Sequence, residues 1–194
     1  INRIFEGTNE INRLIIGGTL LKKSILEEVP IRDIISARSQ DWIPKLDISD
    51  EEPLQKEAYA IEYCRSLTLF CLHECILQHG QDLKNEQWLI EPLANMIISL
   101  SVMDTGFKRY IQIENSEHKD NTHDVLQLSI ADHFESCCKN GKDILSALYS
   151  DEAFEKKIAI VNSWCKKLNY IHKRINIQQK IVEVLYKKKK YYLD

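Results

Sequence analysis

The residue best placed to do chemistry in this 194-residue chain is a single carboxylate, Glu6, lying between an aromatic side chain, Phe5, and Gly7. A carboxylate is a weak general base unless burial raises its pKa, and Ile4 and Phe5 supply the apolar neighbours that would do so. Gly7 lets the backbone bend sharply or pass close to a ligand. Thr8 is a good helix N-cap, and Ile11, Leu14, Ile15, Leu21 and Ile25 keep helical spacing after it. The bland alternative is that Glu6 is merely a favourable charge ahead of a helix.

Other candidate constellations are weaker. Cys71 and Cys75 share a helix face, but His73 points elsewhere and no second pair stands at a zinc-site spacing. They read as core thiols, as do Cys64, Cys137, Cys138 and Cys165, and no metal site is expected. The six histidines are scattered and form no catalytic set. Lys187–Lys190, followed by Tyr191 and Tyr192, reads as a solvated helix end rather than a nucleic-acid or lipid contact.

These residues must be positioned by helices, because strand patterning is absent. The spacing predicts a first helix over roughly 9–24, with Gly17-Gly18 as a weak point that would also permit close packing. A connector with Pro30, Pro44 and Pro53 follows, carrying one short amphipathic turn, Ile31 to Ala37. Ile34, Ile35, Trp42 and Ile43 are its candidates for docking. A long second helix, capped near Ser49 and closed at Gly80, would be the central pillar of a bundle. Its expected stripe is Leu54, Ala58, Ile61, Leu67 or Thr68, Cys71, Leu72, Cys75 and Ile76.

A third helix follows Asn85, kinked at Pro92 and reaching Ile113. A fourth runs from about Thr122 to Lys139, closed by Gly141, with Val125, Leu128 or Ile130, Ala131, Phe134 and Cys138 inward. Then come a short piece over 142–149, a helix capped by Ser150 and reaching Leu168, and a last helix over about 176–190. The fold class is therefore all-α, an antiparallel bundle of four or five helices after the connector.

The nine residues Arg3-Ile4-Phe5-Glu6-Gly7-Thr8-Asn9-Glu10-Ile11 resemble the catalytic segment of the acyl-CoA dehydrogenases, most closely the very-long-chain and related bacterial branch. A looser likeness covers Gly80 to Arg109, through Glu86-Gln87 and Ala94-Asn95. The resemblance implies that Glu6 is the base that removes the α-proton of a fatty acyl-CoA while FAD takes the β-hydride. It implies that Gly7 lies at the substrate thioester and that Thr8, Asn9 and Glu10 contact FAD near its adenine end. It also implies a trans-2-enoyl-CoA product of β-oxidation, an electron-transfer flavoprotein as acceptor and a homodimer. The compartment would be cytoplasmic in a bacterium and mitochondrial in a eukaryote.

On this reading residues 1–26 end the catalytic helical domain, 27–53 are a connector and 54–194 form an additional C-terminal bundle. The chain would be the C-terminal part of a longer enzyme whose remaining FAD and CoA contacts lie upstream, and it would be inactive alone. The alternative is a non-catalytic helical interaction or assembly module. Composition fits either: 44% apolar and 28% charged residues describe an ordinary globular chain. A net charge of −3 gives no support to nucleic-acid binding, and the connector lacks the basic amphipathic face that membrane contact needs.

Overall fold

A computed structural model of the chain describes residues 8–39, 41–44, 46, 54–113, 119–165 and 174–188. Among these the only regular elements are helical: α1 (Asn9–Ile25), α2 (Ile31–Arg38), α3 (Gln55–His79), a 3-10 turn (Gly80–Asn85), α4 (Gln87–Gln112), α5 (Lys119–Leu148), α6 (Asp151–Cys165) and α7 (Arg174–Lys188). The all-α expectation holds.

The pillar is α3. It is buried on almost every side, with Tyr59, Ala60, Ile61, Tyr63, Cys64, Leu67, Phe70, Cys71, Leu72 and Cys75 all in the core. That is wider than a single stripe, because neighbours cover it from several directions. Gly80 ends it as expected, with φ +52 and its N–H on the Ile76 carbonyl. Its start differs: the helix begins at Gln55 after Leu54, which takes a left-handed φ of 71. The expected cap, Ser49, and Pro53 lie outside the described residues.

Named contacts fix the directions. Helix α4 runs antiparallel to α3, since Arg65 meets Asp104 (3.4 Å) near one end and His79 stacks edge-on with Trp88 at the other. Helix α5 returns antiparallel to α4, pairing Asn95 with Asn140 and Ser99 with His133. It therefore lies parallel to α3, with Gln127 on Glu57 and Tyr149 on Glu74 at opposite ends. Helix α6 turns back along α3, where Lys157 reaches Glu74 (2.7 Å) and the Trp164 carbonyl accepts from the Tyr59 hydroxyl (2.8 Å). Helix α7 continues in the same direction along α5, with Arg174 on Asp132 and Glu135 and Lys180 on Asp124. So α6 and α7 both run antiparallel to α3 and α5.

Two glycines change meaning. Gly141 does not close a helix: α5 runs unbroken through it, joining the two pieces expected separately. A Cβ there would lie 3.0–3.3 Å from the Leu67 side chain, so the glycine marks where α3 and α5 press together. Gly17 is its counterpart on α1, as described below. The inward face of α5 is also rotated from the expected one, to Leu126, Ile130, Phe134, Cys137, Ile144 and Leu145. Helix α4 continues through Pro92, whose missing N–H leaves the Trp88 carbonyl without its helical donor.

The connector docks through Ile31, Ile35 and Trp42, all buried, while Ile34 and Ile43 face outward. Trp42 lies edge-on to Phe70 at 5.6 Å and near the His73 ring at 5.5 Å. Arg38 fastens α2 to α3 by donating to Ser66 Oγ (2.8 Å) and pairing with Glu62 (3.7 Å).

Candidate functional site

Glu6 and Gly7, the expected base and thioester-side residue, lie outside the described residues. The three expected cofactor contacts are all placed, and they open α1. Thr8 is its N-cap: the residue is extended (φ −64, ψ 154) and Oγ1 accepts from the Ile11 N–H at 3.3 Å. Its carbonyl takes the Asn12 N–H at 3.0 Å, so the helix is fastened from its first residue. Asn9 and Glu10 follow in the first turn, with Thr8 and Asn9 half-buried and Glu10 exposed. Lys22 and Lys23 occupy the last turn, completing the complement to the helix dipole.

What fixes the direction of this turn is the inner face of α1. Gly17, four residues beyond Arg13, sits so close to α4 that a Cβ would lie 2.5 Å from Ile90 Cγ2 and 3.1 Å from the Ile90 carbonyl. Gly18 faces open space instead. Leu20 and Leu21 continue the contact into a small apolar crevice with Leu72, Ile90, Leu93 and Ile97. Arg13 supplies the polar part: its Nε donates to Asn95 Oδ1 on α4. Asn95 Nδ2 donates in turn to Asn140 Oδ1 on α5 (3.3 Å), and Asn140 Nδ2 to the Ser136 carbonyl (2.7 Å). Sequence reading missed this chain, since polar residues on three separate helices carry no spacing that links them.

It also missed the two buried carboxylates of α3. Glu74, 2% exposed, accepts from the Tyr149 hydroxyl and pairs with Lys157, whose ammonium lies over the Phe70 and Tyr149 rings. Burial, and then the hydrogen bond to Glu74, raise the Tyr149 pKa above its ordinary 10.0. Glu57 takes the Gln127 amide at 3.0 Å, with His123 at 3.9 Å. Both groups join helices of the bundle to one another.

The described cysteines are free thiols, four of them buried and Cys138 half-buried. Burial, with a smaller contribution from Glu74, pushes Cys75 up to about 12; burial does the same to Cys71, reinforced by Cys75, Cys137 and Glu74. Such thiols are inert at neutral pH. Among the described residues no group of His, Cys, Asp or Glu could hold a metal ion, and no helix is long and apolar enough to cross a membrane.

No protein-family profile matches the chain. A probable acyl-CoA dehydrogenase of Bacillus subtilis (strain 168) is 31% identical to it over 113 residues, covering 56% of this chain and 18% of that protein. An acyl-CoA dehydrogenase from Bacillus anthracis, solved in complex with FAD, superposes with a TM-score of 0.81 at 25% identity, covering 95% of this chain and 32% of that one. The chain thus spans less than a third of either protein. Likeness in sequence and likeness in fold point the same way, to acyl-CoA dehydrogenases.

Proposed function

We propose that this chain is the C-terminal part of an FAD-dependent acyl-CoA dehydrogenase of the very-long-chain type, with Glu6 as the base that removes the α-proton of a fatty acyl-CoA. The observation that carries the reading is the superposition of 95% of the chain on an FAD-bound acyl-CoA dehydrogenase, with the Glu6 segment leading directly into α1.

The opening turn suits a flavin dinucleotide. Thr8 keeps a hydroxyl donor beyond its capping role, Asn9 offers a carboxamide, and Glu10 an exposed carboxylate for sugar or amine hydrogens. The positive end of α1 adds a favourable field for a phosphate-bearing group. When bound, FAD supplies the acceptor for the β-hydride. Glu6 takes the α-proton, in concert with hydrogen bonds to the thioester carbonyl that make that proton acidic. Gly7, with no side chain, leaves room for the thioester beside the base.

The product is a trans-2-enoyl-CoA of β-oxidation, with electrons passing to an electron-transfer flavoprotein. The enzyme works as a homodimer, in the cytoplasm of a bacterium or the mitochondrion of a eukaryote. Residues 54–194 form its additional bundle, packing over the catalytic helices. The competing reading, a non-catalytic assembly module, draws on the outward apolar residues of α1, Ile11 and Ile15, which a partner could cover.

The test uses the full-length protein. It should be yellow and should bleach with palmitoyl-CoA; Glu6→Gln should keep the flavin and lose the bleaching. Turnover by Glu6→Gln near the wild-type rate would remove Glu6 from the role of base. A colourless full-length protein would favour the assembly module.

A further inference from the structure

We propose that Asn95 is a positioning residue for the catalytic segment, holding α1 at one angle on the bundle through Arg13. The proposal rests on the reading of Glu6 as base and adds a residue from the bundle to that site. Glu6, Thr8 and Arg13 are covalently consecutive along one short stretch, and Arg13 stands about 7.5 Å along the helix axis from the Thr8 cap. The bundle grips α1 on this side at Arg13, at Gly17 one turn on, and at Leu20 and Leu21 beyond it. At Gly17 the contact is van der Waals, with the backbone pressed on Ile90. At Arg13 it is directional, a guanidinium N–H on the Asn95 carboxamide oxygen.

Asn95 is itself not free to turn. Its amide nitrogen is committed to Asn140 on α5, and the Asn140 amide nitrogen to the Ser136 carbonyl one turn earlier on the same helix. The acceptor offered to Arg13 is therefore fixed by two helices of the bundle rather than by one rotamer. All three side chains are partly buried, where competition from water is weaker than at the surface. The first turn of α1, by contrast, exposes Glu10 and Ile11. Loss of the tether loosens the N-terminal half of α1, whose Thr8 cap stands two residues after Glu6 in the sequence. Displacements of this kind at a reacting carboxylate lower the rate of chemistry far more than they lower substrate affinity.

The experiment compares Asn95→Leu and Asn95→Asp in the full-length protein. Leucine removes the acceptor at similar volume; aspartate gives up the donor to Asn140 but offers Arg13 a charged acceptor, whose stronger bond offsets that loss. Asn95→Leu should lower kcat about 10-fold with KM within about 2-fold and flavin content unchanged. It should also speed hydrogen exchange at the Ile11 and Asn12 amides by about 10-fold, while α3 amides keep their protection. Asn95→Asp should restore both kcat and exchange to within about 3-fold of wild type. The proposal is overturned if Asn95→Leu leaves α1 exchange unchanged, or if Asn95→Asp restores neither. Should the wild-type protein fail to dehydrogenate acyl-CoA, the base assignment falls, and the exchange comparison alone decides whether Asn95 holds α1.

Discussion

Helices α1 and α3 are held in opposite ways. Of the 25 residues of α3, Tyr63, Cys64, Leu67, Phe70 and Cys71 and most of their neighbours are buried, and α2, α4, α5 and α6 surround them. Of the 17 residues of α1, Gly17 and Ser24 are buried, while Ile11 and Ile15 stand 51% and 58% exposed on the far side. The pillar is fixed by removal of apolar surface from water, a non-directional force that works from every side at once. The arm, α1, is fixed from one side, by a close backbone contact at Gly17, the apolar contact of Leu20 and Leu21, and a hydrogen bond from Arg13. A helix held that way has its angle set by a few side chains, and those are where the arm can be shifted without unfolding the bundle.

The largest effect that separates the two should come from the pillar. Phe70 is buried edge-on against both Trp42 (5.6 Å) and Trp164 (5.5 Å), joining the connector, α3 and α6. Phe70→Ala removes that contact and leaves a cavity, at a cost of about 3–5 kcal/mol in global stability. Urea denaturation monitored by tryptophan emission measures it. A loss below about 1 kcal/mol would mean the core closes around the gap and the pillar is less rigid than its burial implies.

The arm gives a smaller and more selective pair. Gly17→Ala puts a methyl 2.5 Å from Ile90 Cγ2 and 3.1 Å from its carbonyl, so α1 must lift or α4 must yield. Overpacking of about 1–3 kcal/mol outweighs the gain of about 1 kcal/mol in helix propensity. At Gly18 a methyl meets open space, and only the gain of up to about 1 kcal/mol remains. The same chemical change at adjacent positions should therefore have opposite signs. Hydrogen exchange over α1 is the measurement: faster for Gly17→Ala, slower for Gly18→Ala, and unchanged over α3 in both. If both slow exchange, the contact with Ile90 is softer than described.

Much of this was legible from the residues, for reasons that differ by place. Thr8 as cap and Gly80 as stop follow from local chemistry, and both stand where spacing put them. The glycine pair in α1 was readable as a close contact, though not which member made it; only the rotation of the helix against Ile90 decides that. Gly141 misled for the same reason, since a glycine that ends a helix and one that admits a neighbour look alike in one dimension. The buried Glu57 and Glu74 were unreadable, because their partners Gln127, Tyr149 and Lys157 lie 70 or more residues away. Of the candidate site, the cap and first turn were legible from Thr8, Asn9 and Glu10, whereas the Arg13–Asn95–Asn140 tether exists only once three helices meet.

The smallest expected effect tests whether charge adds to the hold on α3 where burial stops. Arg65 lies at the partly exposed edge of the pillar, paired with Glu62 (2.9 Å) and with Asp104 of α4 (3.4 Å). A hydrogen bond from Lys108 (2.6 Å), opposed by partial burial and helped by the charges of Lys108 and Arg65, holds the Asp104 carboxyl below its ordinary 3.8. A depressed folded-state value means the contribution is present above the unfolded-chain pKa and is lost as pH falls through the lower folded value. Asp104→Asn should therefore cost less than about 1 kcal/mol at neutral pH, as solvent screens a pair this exposed. The gap between wild type and variant should narrow as pH falls below about 4, where the carboxylate protonates in both folded and unfolded wild type. A gap that stays constant down to low pH would assign the residue a packing role and leave this edge of the α3–α4 contact without a contribution from the Asp104 charge. A gap that closes would show α4 reinforcing the pillar through charge, which α1, joined to α4 through the neutral Asn95, does not share.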